Sequence, residues 1–441
     1  MATSDERSSL ERFLSVFADV RAGEGSTVLL LALNVFLLLL AYYVLKPVRE
    51  ALVLGEGSAE LKSYLSAGQV AVLAVVVPLY GRLVAATSRI RLINVVTLVF
   101  AACPVVFFVL AKLHVPIAIV FFVWIGIFSL MIVAQFWAFA NDLYTKAQGE
   151  RLFAIVGFGA SLGAVAGARI ADRLIGPLGV EQLMLVGSVV LIVSLLLTNH
   201  INRSHAGNEA RPRETGASHS SGENAFALVF RTRYLLLMGL MLMLVNLVNT
   251  TGEYILGSIV KDTATTMIAE GRNNGLDEGQ MIGQFYSRYF TAVNVLGLLL
   301  QLFVVSRLVK RIGVGASAMV LPIIALGSYG IMMIAPTLWR VLGAKVAENS
   351  TDYSLNNTVR NMLFLPCSYE EKFSGKQVID AFFVRMGDVL SVLLVFVGSG
   401  LALGPRVFAA INGVLVLVWL VIAWRTAHHY RQRSAAIDAT S

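Results

Sequence analysis

The chain has 441 residues, 57% of them hydrophobic and only 14% charged, with a formal net charge of +8. Its mean hydropathy of +0.75 excludes an ordinary soluble domain and reads as a polytopic membrane protein. The basic balance does not call for a nucleic-acid partner, because Lys and Arg are sorted by loop rather than gathered on one soluble face.

The first 26 residues carry Asp5, Glu6, Glu11, Asp19 and Glu24, which speaks against a cleavable signal or an acid-poor transit peptide. Leu10, Phe13, Leu14, Phe17 and Val20 recur at helical spacing and predict a short amphipathic helix on the cytoplasmic interface. Apolar runs then predict twelve spans, at about 27–50, 64–84, 92–112, 115–139, 153–174, 181–199, 233–257, 284–305, 314–334, 338–365, 378–399 and 405–425. With the amino terminus inside, 21 Lys and Arg fall on the cytoplasmic side and 10 opposite, so both termini are expected in the cytoplasm.

The expected organisation is an N-terminal segment (1–26), a first six-helix bundle (27–199), a polar linker (200–227), a second bundle (228–426) and a tail (427–441). The bundles read as repeats. Gly81-Arg82-Leu83-Val84 matches Ser306-Arg307-Leu308-Val309 at an offset of 225, and Gly149-Glu150 matches Gly375-Lys376 at 226. Lys46 to Glu50 can be laid over Asn249 to Glu253, so that Glu50 meets Glu253. Two six-span halves of this kind describe the major facilitator architecture, an all-α membrane fold with its solute site at the midplane between the halves.

Several spans carry side chains that are costly at membrane depth. In span 1, Lys46, Arg49 and Glu50 share one helical face, read either as a solute site or as headgroup anchors at the end of the span. Span 7 holds Asn246, Asn249, Thr250, Thr251, Gly252 and Glu253, a weakly helical patch where local unwinding is expected. In span 10, Lys345, Glu348, Asn349, Asp352, Asn356 and Arg360 form a stripe that cannot face lipid; it fits a cavity or gate, or an internal salt-bridge network. Span 11 adds Asp380, Arg385 and Asp388, with Gly387 as a hinge or close-packing point. Arg385 is the best single ligand for a phosphate or carboxylate, because a guanidinium is permanently charged and binds such groups bidentately.

Gly157, Gly159, Gly163 and Gly167 read as a helix-packing stripe rather than a nucleotide loop. Cys103 and Cys367 read as unpaired small hydrophobes. No metal or cofactor is expected, and the short loops leave no room for a catalytic domain.

Asn34 with Lys46-Pro47-Val48-Arg49-Glu50, Phe136-Trp137-Ala138-Phe139-Ala140-Asn141, Asn246-Leu247-Val248, Arg360-Asn361-Met362 and Gly375-Lys376-Gln377-Val378-Ile379-Asp380 with Arg385 together resemble the ATP/ADP translocase family of intracellular bacteria and plastids, within the major facilitator superfamily. The resemblance implies that Lys46, Arg49, Arg360, Lys376 and Arg385 are cationic positions for a polyphosphate. The chain departs from the family pattern at Asn249 (Glu in the family), at Glu253 (a basic residue) and at Asp388 (Lys), and it lacks an acid early in span 4.

Six candidate cations at membrane depth (Lys46, Arg49, Arg288, Lys345, Arg360, Arg385) meet six candidate anions (Glu50, Glu253, Glu348, Asp352, Asp380, Asp388). That balance fits a solute less charged than ATP, or pairs that open when a ligand enters.

The expected function is secondary transport of a nucleotide or similar organic anion by alternating access in a bacterial cytoplasmic membrane. Solute contacts are expected from Lys46, Arg49, Glu50, Asn141, Asn246, Asn249, Glu253, Lys345, Asn349, Asp352, Arg360 and Arg385. Coupling or gating is expected from Glu50, Glu253, Glu348 and Asp388. The partners expected are a small anionic solute, with ATP or ADP foremost, and the lipid bilayer; a monomer is the expected state. Alternatives are proton-coupled transport of a non-nucleotide metabolite, or a non-transporting sensor or scaffold.

Overall fold

A computed structural model describes residues 8–15, 18–205, 225–368 and 370–438. Within a bilayer a helix satisfies its own backbone, and among the described residues the regular elements are all helical. Helix α1 (Ser9–Leu14) is shorter than the expected amphipathic segment, of which Phe17 lies outside the described residues. It is fixed by Glu11: its carboxylate accepts from the Ser8 amide at 2.8 Å and from the Gly23 amide at 2.7 Å. Of the expected linker, residues 206–224 lie outside the described residues.

The six spans of the first half appear as α2 (Gly25–Glu56), α3 (Ala59–Ala86), α4 (Arg89–Lys112), α5 (Ala118–Leu143), α6 (Lys146–Leu178) and α7 (Gln182–His205). After a short α8 (Ala225–Arg231), the second half begins with α9 (Arg233–Ala269). Helix α10 (Glu278–Leu299) passes through a π-helical turn (Leu300–Val305) into α11 (Ser306–Ser317), which breaks at Gly313, where φ is 80°.

Next come α12 (Val320–Ile334) and α13 (Leu338–Thr351), the latter leading through a π turn (Asp352–Asn356) into α14 (Asn357–Met362). Another π turn (Glu371–Gly375), the helical turn α15 (Lys376–Val378) and a further π turn (Ile379–Phe383) lead into α16 (Val384–Gly400), and α17 (Pro405–Asp438) follows.

Among the described residues, nine helices are long and apolar enough to cross a membrane. The other three expected spans fall on α3, on α12, which is only 15 residues long, and on the more polar α13–α14.

A similar set of helix contacts occurs in each half. In the first half α2 packs on α6 and α7, and α4 on α7; in the second, α9 packs on α16 and α17, and α12 on α17. Small residues allow these close approaches. A Cβ on Gly159, Gly163 or Gly167 would run into the backbone carbonyls of Ala32, Phe36 or Leu40, whereas Gly157 faces open space. Gly387 plays the same part in α16, pressed on the Met243 carbonyl and Asn246, so its role is close packing.

The chain forms two compact units that do not follow a simple division of the sequence. One comprises Met1–Glu56, Ala71–Pro212 and Asn273–Thr291; the other comprises Gly57–Val70, Arg213–Arg272 and Ala292–Ser441. The first turns of α3 thus belong to the second unit and the first turns of α10 to the first.

Candidate functional site

In the second unit the polar residues of α9 and α13 converge. Lys345 is fully buried; its Nζ donates to Asn249 Oδ1 at 2.8 Å and lies 3.3 Å from Glu348 and 3.6 Å from Glu253. Asn349 Nδ2 donates to Glu253 Oε1 at 3.0 Å, and Glu253 also faces Lys62 of α3 at 3.7 Å. Burying these ions separately would cost several kcal/mol each, so their convergence is what permits them to lie inside.

The expected unwinding of span 7 is absent. Helix α9 runs without interruption through Thr250, Thr251 and Gly252, because the hydroxyls of a membrane helix find partners without breaking it. Thr251 Oγ1 donates back to the Leu247 carbonyl at 2.8 Å and lies 2.9 Å from Ser391 Oγ. Gly252 serves by its missing side chain: a Cβ there would strike the Tyr329 hydroxyl and come within 3.0 Å of Lys345 Nζ. The Tyr329 hydroxyl and Asn412 Nδ2 both donate to the Val248 carbonyl, at 2.9 and 3.1 Å, and Tyr329 also lies 3.4 Å from Glu348.

The span-10 stripe is not one continuous row. The π turn at Asp352–Asn356 alters the helical register: Asn356 donates to Asp352 at 2.7 Å, and Arg360 beyond it pairs with Asp380. Asp388 links α16 to α9, accepting from Thr250 at 3.1 Å and from Arg385 at 3.3 Å. The Arg385 side chain remains 41% exposed. Asn246 bonds back to its own helix at Leu242.

In the first unit the span-1 residues have a different setting. Lys46 is buried, with its ammonium 4.0 Å from the centre of the Phe290 ring, 5.1 Å from Tyr43 and 5.7 Å from Tyr42. Arg49 pairs with the buried Glu50 and stacks over Phe122 at 4.9 Å. Asn141 lies exposed near the end of α5, while Asn34 is a packing residue that donates to Thr198 at 2.7 Å. Arg288 meets Asp172 at 2.8 Å, an anion absent from the six-against-six count.

Sequence reasoning missed Lys62, Tyr329, Asn412 and Phe290. Lys62 falls before the apolar run that marks span 2; the others are single residues in apolar stretches, with no pattern to set them apart.

Outside the spans, Glu24 binds Arg151 at 2.9 Å. Burial raises its pKa, but the Arg151 and Arg21 hydrogen bonds outweigh this and hold the carboxyl below its ordinary value.

Long apolar helices with charged residues clustered inside place the chain among polytopic helical membrane proteins of solute-carrier architecture. The model of the Major Facilitator Superfamily matches residues 31–347, and that of the TLC ATP/ADP transporter matches residues 325–430. The chain belongs to the Major Facilitator Superfamily.

It is 25% identical over 353 residues to ADP,ATP carrier protein 1 of Chlamydia pneumoniae, covering 70% of this chain and 66% of the relative. The protein of the same name in Chlamydia trachomatis is 24% identical, with 70% and 64% covered. The chain thus spans just under two thirds of the length of these relatives. Among solved structures it is similar to a POT family transporter (TM-score 0.65, 13% identity, 91% of this chain and 96% of that one). It is also similar to the nucleoside transporter NupG (TM-score 0.61, 13% identity, 92% and 99%). These likenesses establish a shared fold.

Proposed function

We propose that the chain is a secondary transporter that moves a nucleotide-like organic anion across a bacterial cytoplasmic membrane by alternating access. Its twelve spans form the repeats 27–199 and 228–426, both termini lie in the cytoplasm, and the working unit is a monomer. The observation that carries the reading is the buried cluster of Lys345, Glu253, Glu348, Asn249 and Asn349. So many ionisable groups inside a membrane bundle mark a solute or proton route. The names of the Chlamydia relatives supply the solute class.

Arg385, 41% exposed and 3.3 Å from Asp388, is the cation best placed to exchange its carboxylate for a phosphate, with Lys46, Arg49 and Arg360 as further cations. Asn141, Asn246 and Asp352 complete the solute contacts. Glu50, Glu253, Glu348 and Asp388 exchange partners or protons during the cycle.

The test is uptake of labelled ADP, ATP, nucleosides and organic acids by proteoliposomes. Nucleotides are expected to be carried, and Arg385→Ala to cut their uptake about tenfold or more, as loss of one charge-assisted contact predicts. Uptake confined to neutral metabolites sinks the proposal. Glu253→Gln is expected to flatten the dependence of uptake on external pH; an unchanged profile removes Glu253 as a proton carrier.

A further inference from the structure

The segment that joins α14 to α16 forms an open recess of about 550 Å³ in the second unit, separate from the Lys345 cluster. Its wall combines Lys372 and Lys376 with the amides of Asn361 and Gln377 and the ring of Phe364. The Lys376 ammonium donates to Asn361 Oδ1 at 2.9 Å and lies 5.4 Å from the centre of the Phe364 ring. Both partners are neutral, so they orient the lysine without cancelling its charge. Asp380, the one acid in the wall, is engaged by Arg360. Among the described residues neither Lys372 nor Lys376 has a carboxylate within ion-pair distance.

With Arg360, Lys372 and Lys376 set against Asp380, the recess carries a surplus of two positive charges. The volume is that of a small-molecule site. The polar lining offers ammonium donors for phosphate oxygens and two side-chain amides for a heterocycle or hydroxyl edge.

We infer that this recess is an outer binding site for a phosphorylated solute, a loading station distinct from the buried cluster. The inference rests on the reading of the chain as a carrier of nucleotide-like anions. Lys376 is the central ligand: on binding, its ammonium leaves the Asn361 amide for a phosphate oxygen and uncovers the Phe364 ring. Lys372 supplies the second cation. The same chemistry would also accept an anionic lipid headgroup, and the experiment separates the two sources.

The full chain is reconstituted in nanodiscs of zwitterionic lipid and treated with an amine-acylating reagent, and the labelling rate of Lys376 is followed by peptide mass spectrometry with and without inorganic pyrophosphate. Pyrophosphate is expected to slow labelling of Lys376 severalfold. Lys372→Gln is expected to raise the pyrophosphate concentration needed for half protection about tenfold. Arg385→Ala, which removes a solute contact proposed above, is expected to leave protection of Lys376 unchanged while uptake falls.

Three results overturn the inference: no protection by pyrophosphate, protection that disappears in Arg385→Ala, or protection by phosphatidylglycerol nanodiscs alone with none from pyrophosphate in zwitterionic ones. Uptake by proteoliposomes is measured independently. A recess that fails this test while nucleotide uptake persists leaves the transport reading standing, and the reverse outcome removes transport while retaining the site.

Discussion

Each unit buries a lysine, Lys46 on α2 in the first and Lys345 on α13 in the second, and the two meet different side chains. In the first unit Lys46 is surrounded by the rings of Phe290, Tyr43 and Tyr42, the nearest centre 4.0 Å away. In the second, Lys345 is surrounded by Asn249, Glu348 and Glu253 between 2.8 and 3.6 Å. A ring face stabilises an ammonium through its quadrupole, a carboxylate through its opposite charge. Loss of a ring should therefore cost less than loss of the ion cluster.

The largest effect is expected from removing Lys345. Lys345→Ala removes the ammonium that Glu253 and Glu348 share and should destabilise the protein by about 3–5 kcal/mol, read by thermal or denaturant unfolding in detergent. Lys345→Met combined with Glu348→Gln should recover much of the loss, because both ends of the closest pair are then neutral. Equal destabilisation in single and double variants would show that the cluster is not held by charge.

Next comes Gly252→Ala, whose methyl would overlap the Tyr329 hydroxyl and crowd Lys345; a cost of about 1–3 kcal/mol is expected from overpacking. Combining it with Tyr329→Phe, which deletes the crowded oxygen, should recover part of that cost. A smaller effect is expected in the first unit. Phe290→Leu keeps the apolar bulk but removes the nearest ring, and should cost about 0.5–2 kcal/mol, whereas Phe290→Tyr should be nearly neutral. If Leu and Tyr behave alike, the ring face does not stabilise Lys46 and the contrast between the units disappears.

The smallest effect lies outside the spans. Glu371 accepts from Arg433 of α17 at 2.9 Å; burial raises its pKa, and the Arg433 and Ser368 hydrogen bonds outweigh this and hold the carboxyl below its ordinary value. A depressed carboxylate contributes stability above the ordinary glutamate range and loses it as pH falls through the folded-state value. Glu371→Gln should therefore destabilise slightly at neutral pH and make no difference in strong acid, which melting curves at the two pH values will show.

The helices were legible because an apolar run of membrane length has few alternatives, and the glycine stripe in α6 was legible as packing because its spacing repeats. The convergence of the span-7 and span-10 residues could be anticipated from their cost in lipid. Their individual partners could not. The π turn at Asp352–Asn356 leaves no mark in a residue pattern, yet it decides that Arg360 meets Asp380 rather than extending the row from Lys345. Lys62 was hidden because hydropathy starts the second span at about residue 64, while helix α3 starts at Ala59 and takes Lys62 inward to Glu253. Phe290 was hidden because a ring in an apolar span carries no sign of the charge it faces.

The reciprocal exchange of short segments, 57–70 into the second unit and 273–291 into the first, bears on how the chain is made. A ribosome delivers the amino-terminal half first, but that half has to wait, already inserted, until residue 291 has emerged before its own packing is complete. Cutting the gene within the linker should therefore yield two fragments that accumulate together and are degraded when produced singly.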